Sequence, residues 1–149
     1  MSSSERTKAE ERGILKDRFS RCAEILARSN IRLGLEFLGP LHLRKRFPHE
    51  FIWRMGEMLA FAKECGGNVG LLLDAWHWHH AGGTLKDIEA AGRHNIVHVQ
   101  VADAPKLPPE KIVDSERLMA GEGVIDLAGF FRTLKKIGYV DGVSPEIFG

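Results

Sequence analysis

The sequence is poor in cysteine, in long apolar runs and in net charge. Only two cysteines, Cys22 and Cys65, occur in 149 residues, which excludes a disulfide-stapled scaffold. They lie far apart in segments with helical patterning and outside any short Cys or His spacing, so they read as reduced, buried thiols rather than a zinc site. No apolar run approaches the ~20 residues of a membrane helix. The leader MSSSERTKAEER has no apolar core, which argues against a secretory signal and makes the cytoplasm the expected location. Lys and Arg number 21 against 20 Asp and Glu, a formal charge of +1. That balance supplies no global attraction to nucleic acid or to an anionic membrane. No glycine-rich phosphate loop follows any predicted strand, so nucleotide-binding readings lose their main support. There is no internal repeat. What is present, 44% hydrophobic and 28% charged residues, is the mix of a folded globular protein, read as one domain over residues 1–149.

Hydrophobic spacing divides the chain into alternating elements. Residues 5–28 carry Ile14, Leu15, Phe19, Cys22, Ile25 and Leu26 at steps of three and four, a helical stripe. Its polar start, residues 1–12, reads as a frayed helical end. Ile31 to Leu38 reads as a strand closed by Gly39-Pro40, and Pro48 to Cys65 as a helix stopped by Gly66-Gly67. Val69 to Leu73 is a second strand, running into Asp74. Thr84 is a helix N-cap with Asp87 three residues on. Ile96 to Val101 is a third strand, Asp126 caps a helix over Leu127 to Ile137, and Gly142 to Phe148 is a fourth strand. This order predicts an α/β fold with a parallel sheet and right-handed crossovers. The strands are apolar almost throughout, which predicts helices over both sheet faces. An open doubly wound sheet and a piece of a (β/α)₈ barrel both fit.

The chemistry sits at the strand ends. The first strand ends at Glu36, the second at Asp74, the third at His98 and Gln100, and the fourth at Glu146. Parallel sheets gather those ends at one face, where active sites form. Three carboxylates crowded there would repel one another, and a divalent cation, Mg²⁺, Mn²⁺ or Zn²⁺, is the simplest means of keeping them charged. Each residue also has a plain structural role open to it. Asp74 could cap a turn, His98 could be a hydrogen-bonded core histidine, and Glu36, Gln100 and Glu146 could be surface groups. Their recurrence at successive strand ends is what favours the site.

The runs LGLEFLGP, LLLDAWHWHHAGGT, IVHVQVADAP, GEGVIDL and GVSPEIF together resemble the xylose isomerase-like TIM-barrel superfamily of sugar isomerases and epimerases. The resemblance extends from Ile31 to the C-terminus and implies a partial TIM barrel, the four strands matching the fourth through seventh of the family. It implies metal ligands at Glu36, Asp74, Gln100 and Glu146, with Glu36 and Glu146 also the two catalytic bases. Gln100 stands where a histidine is more usual. It implies substrate contacts from His77, with Trp76 and Arg117 beside it. Asp103 is expected to orient the loop after the third strand. Arg117 could hold a substrate oxyanion, with Lys106 a weaker candidate of the same kind, although an exposed loop cation is the more common case. His79, His80 and the basic run Leu43 to Phe47 are expected to be loop residues.

The implied reaction is metal-assisted proton transfer beside a carbonyl of a small sugar or hydroxy-ketone, with no nucleic acid or membrane partner. One rival is phosphodiester cleavage of the endonuclease IV type, which the even charge disfavours. Another is a non-catalytic fragment. A complete barrel takes about 250 residues, so four strands leave two sheet edges bare. A homo-oligomer covering those edges, an open α/β sandwich and a truncated product all remain open.

Overall fold

The computed structural model describes residues 1–148. Its elements run β1 (Ser3–Ser4), α1 (Lys8–Ala27), β2 (Leu33–Glu36), α2 (Leu41–Arg44), β3 (His49–Glu50), α3 (Met55–Cys65), β4 (Val69–Asp74), α4 (Ala75–His80), α5 (Leu85–Ala91), β5 (Ile96–Val101), α6 (Leu127–Lys136) and β6 (Val143–Pro145). Strands β2, β4, β5 and β6 form one parallel sheet in that order. A four-stranded parallel sheet with flanking helices is part of a TIM barrel, not a closed one. β2 and β6 are its two edges. No described helix is long and apolar enough to cross a membrane.

Local chemistry sets the helix boundaries. Thr7 and Glu10 form a reciprocal capping box at α1, Thr84 and Asp87 another at α5, and Asp126 accepts the Gly129 N–H at α6. Two boundaries differ from the sequence expectation. Of residues 1–12 only Lys8 onward is helical: Ser2, Ser3 and Ser4 are buried, and Ser3–Ser4 pairs antiparallel with His49–Glu50. That pairing holds residues 49 and 50 extended, so α3 starts at Met55 rather than at Pro48. The cysteines also divide, Cys65 being buried and Cys22 exposed.

Strand pairing fixes which side chains share a face. Asp74 lies opposite Gln100, which lies opposite Ser144, while Glu36 lies opposite Leu72 and Leu72 opposite His98. The alternate residues Leu35, Phe37, Leu71, Leu73, Val99 and Val101 are buried in the core with Phe61, Ile88, Phe130 and Leu134 of the helices. The expectation of two covered faces is therefore corrected. Helices cover one face, and the other carries Gly34, Glu36, Leu72, His98, Gln100 and Ser144, all half-buried. His98 is on that open face, where its Nε2 lies 2.8 Å from Ser144 Oγ.

Candidate functional site

The site is assembled by three segments that leave the carboxyl end of the sheet. β4 passes into α4 without a loop, because Asp74 is both the last strand residue and the N-cap of the helix. Its Oδ1 accepts the Trp76 N–H at 3.0 Å. One turn later, His77 lies on the same side of α4 as Asp74. Gly39, after β2, lets α4 come close: a Cβ there would lie 2.3 Å from the His77 carbonyl oxygen. Any side chain at 39 would push the histidine away.

The third segment is the long loop after β5. Asp103 pins it: Oδ1 accepts the N–H of Ala104 and Ile125, and Oδ2 that of Gly121. Burial works against this carboxylate. The backbone donors outweigh burial and hold it below the ordinary aspartate range. Gly123 allows the turn, since a Cβ there would lie 2.5 Å from Asp103 Oδ1. Asp103 and Leu118 exchange backbone hydrogen bonds, which places the preceding residue, Arg117, over the strand ends.

Arg117 is buried, its side chain 1% exposed. Nη1 donates to Asp74 Oδ2 and to Glu146 Oε2, both at 2.7 Å. Nη2 donates to Asp114 Oδ1 at 3.2 Å and to His77 Nε2 at 3.3 Å, and Nε donates to the Asp114 carbonyl at 3.2 Å. A guanidinium has five N–H donors, and all five are engaged. The guanidinium also lies 5.3 Å from the Trp76 ring centroid and 4.9 Å from that of Phe148. Two expectations are corrected here. Arg117 has no donor left for a substrate and instead holds the carboxylates in place. Trp76 is fully buried and carries Arg117 and His80 on its ring, so it does not line an open pocket.

Glu36, Asp74 and His77 bring one ligand atom each within 4.8 Å of one another. His77 Nε2 is 3.8 Å from Glu36 Oε1 and 3.7 Å from Asp74 Oδ2. Burial, with Arg117 adding to it, lowers the His77 pKa to about 2, so the ring is neutral. Because arginine can only donate, Nε2 is the acceptor and the proton is on Nδ1. Burial pushes Glu36 up to about 7, and Asp74 and Glu146 push in the same direction. Asp74 is pushed to about 6 by burial, although Arg117 and the Trp76 N–H oppose the rise.

Glu36 Oε1 is buried without a hydrogen-bond partner. An unpaired buried carboxylate oxygen, a second carboxylate and a neutral imidazole nitrogen that here accepts from Arg117 lie close enough together to form a donor set for a divalent ion. The residues present thus fit a metal, with His77 nearer the carboxylates than its expected substrate role required. Glu146 reaches the group through Arg117. Gln100 stands in register beside Asp74 on the same face. Short-range sequence patterns had no means of revealing Asp114, the fourth acidic partner, because it reaches the site only through the loop.

Solved structures share this arrangement of the chain. A xylose isomerase domain protein from Alicyclobacillus acidocaldarius is 30% identical with a TM-score of 0.91, matching 99% of this chain and 52% of its own. An IolI protein with a bound zinc atom is 25% identical with a TM-score of 0.81, matching 99% of this chain and 51% of its own. In sequence, the inosose isomerase of Halalkalibacterium halodurans is 29% identical over 147 residues, 93% of this chain and 50% of that protein. The chain therefore spans about half the length of that relative. Residues 2–149 match the xylose isomerase-like TIM barrel family model, and the chain belongs to that family.

Proposed function

We propose that this chain carries the metal-binding and proton-transfer half of a sugar isomerase or epimerase acting on a small sugar or hydroxy-ketone. The observation that carries the reading is the buried group Glu36, Asp74 and His77, with a raised Glu36 and an unpartnered carboxylate oxygen. Kinship with an inosose isomerase and with a zinc-bound neighbour supports the same chemistry.

In this reading Glu36, Asp74 and the neutral His77 imidazole hold the ion, with Gln100 and Glu146 completing the set from the neighbouring strand ends. The bound ion would supply Lewis-acid polarisation of a substrate carbonyl. Glu36 takes a proton from the carbon beside that carbonyl, acting as a carboxylate base at the strand end. Glu146 serves the opposite side, held in place by the Arg117 Nη1 contact. Return of the proton to the same carbon from the other side inverts it, and return to the former carbonyl carbon, with the hydroxyl proton passing between the two oxygens, moves the carbonyl. Arg117 fixes Asp74 and Glu146 without spending a donor on substrate.

The test is a metal titration by calorimetry together with an isomerisation assay on inosose. The expected result is one divalent ion bound per chain, with turnover that a chelator abolishes. Glu36→Gln and Glu146→Gln should each cut turnover by about a hundredfold or more. Near-normal turnover in either variant would overturn the two-base assignment, and failure to bind any divalent ion would overturn the metal reading.

A further inference from the structure

A cavity of about 310 Å³ opens among the segments that follow the strands, lined by His79 and His80 at the end of the helix that carries His77. Four basic side chains line it: Arg44 from α2, His79 and His80 from the end of α4, and Lys106 from the loop after β5. Among the described residues no carboxylate lines it. Leu41 and Ile112 give it an apolar wall. Its volume is at the lower bound of small-molecule sites, which begin at about 300 Å³.

The polar groups are prepared rather than merely exposed. The Arg44 guanidinium lies 3.9 Å from the Trp53 ring centroid, which fixes its plane. The His80 ring is held edge-on against Trp76, centroids 4.4 Å apart. His80 Nε2 and Arg44 Nε are both buried without a hydrogen-bond partner. Among the described residues, neither Arg44 nor Lys106 is in an ion pair. Arg44 and Lys106 bring positive charge to the cavity, and each imidazole can offer an N–H.

Two uncompensated cations and two ring donors around one concavity are the equipment of an oxyanion site. Arg117, the buried cation at this end of the sheet, cannot do the task, since every one of its donors is spent on the site's own groups. We propose that the cavity is an oxyanion subsite, which takes the phosphate or carboxylate group of an acidic substrate. Trp76 joins the two places, carrying His80 of the cavity and Arg117 of the carboxylate group on one indole. The link to substrate rests on the isomerase reading, whereas binding of an oxyanion does not.

The experiment is calorimetric titration of the whole chain with inorganic phosphate and, separately, with acetate. Saturable binding of one or both ions is expected, and the tighter one identifies the acid. The Arg44→Gln, Lys106→Gln double variant should weaken it by about tenfold or more. Because Arg44 also packs on Trp53, Lys106→Gln with His80→Asn gives a second reading if the first variant does not fold. Glu36→Gln should lose turnover and keep phosphate binding. No saturable binding of either ion, or binding unchanged in the cavity variants, overturns the proposal. A chain that binds phosphate yet turns over neither inosose nor a phosphorylated or carboxylated sugar overturns the isomerase reading and leaves the subsite standing.

Discussion

The two faces of the parallel sheet are built from alternate residues of the same short strands, yet they obey different rules. On the covered face Leu71, Leu73 and Val99 are fully buried against the helices, and apolar burial decides their identity. On the open face Leu72, His98 and Gln100 are half-buried, and the face turns polar toward the strand ends. Asp74 belongs to the open face by parity and is nevertheless fully buried. What covers it is Arg117 with its loop, not a helix. The difference shows how one strand separates scaffold from chemistry: the apolar face positions the strand, and a single loop cation makes it tolerable to bury charge on the other face.

That comparison breaks most readily at Arg117. Arg117→Met removes a buried cation while leaving Asp74, 0% exposed, beside Glu146 and Asp114. Breaking one partner out of a buried ion pair costs roughly 3–5 kcal/mol, measured as the shift in urea midpoint at constant slope. Arg117→Lys should recover only part of this, because an ammonium cannot reproduce the five-donor fork. A loss below about 1 kcal/mol in the Met variant would mean that the open face does not depend on its loop.

A pair of neighbours sharpens the contrast next. Leu73→Ala truncates a fully buried side chain on the helix-covered face and should cost about 3 kcal/mol through lost burial and a residual cavity. Leu72→Ala, one residue away on the open face, should cost about 1 kcal/mol or less. Equal losses, again read from denaturant midpoints, would show that the open face is packed as tightly as the other.

The scaffold was more legible in the sequence than the site. Strand Ile96 to Val101 and the caps at Thr84 and Asp126 stand as expected because their signals are local: apolar runs between stop residues, and side chains that reach back to backbone three positions away. The strand-end acids were legible for a similar reason, since a parallel sheet delivers its ends to one place. The covering of one face only was not, because an apolar run looks alike whether one side or both are buried. Nor was the burial of Arg117, which depends on Asp103 pinning a loop that carries no hydrophobic period. Ser2 to Ser4 misled in the other direction, polar residues being buried by pairing with His49, Glu50 and Phe51, far along the chain.

The smallest expected effect tests the two faces against pH. Glu36 on the open face has its pKa raised from the ordinary 4.5 to about 7, first by burial and then by Asp74 and Glu146. The folded chain thus keeps a proton there that the unfolded chain releases between pH 4.5 and 7. Where the folded state binds more protons, stability falls as pH rises. The Glu36 contribution is therefore harmless below pH 4.5, becomes unfavourable across that window and is fully unfavourable above pH 7. The full shift corresponds to about 3 kcal/mol, and the 28% exposure of the side chain reduces this to about 2 kcal/mol. Glu36→Gln removes the titration, so in a chelator it should match the parent at pH 4 and exceed it by about 2 kcal/mol at pH 8. Leu35→Ala, on the covered face, should lower stability by the same amount at both pH values, because burial of a methyl group does not titrate. A divalent ion should then reverse the order at pH 8, stabilising the parent more than the Gln variant, since a ligand carboxylate that is costly when unpaired becomes favourable beside a cation. Parallel pH curves for the parent and Glu36→Gln, with and without the ion, would remove the strained carboxylate from the account of this face.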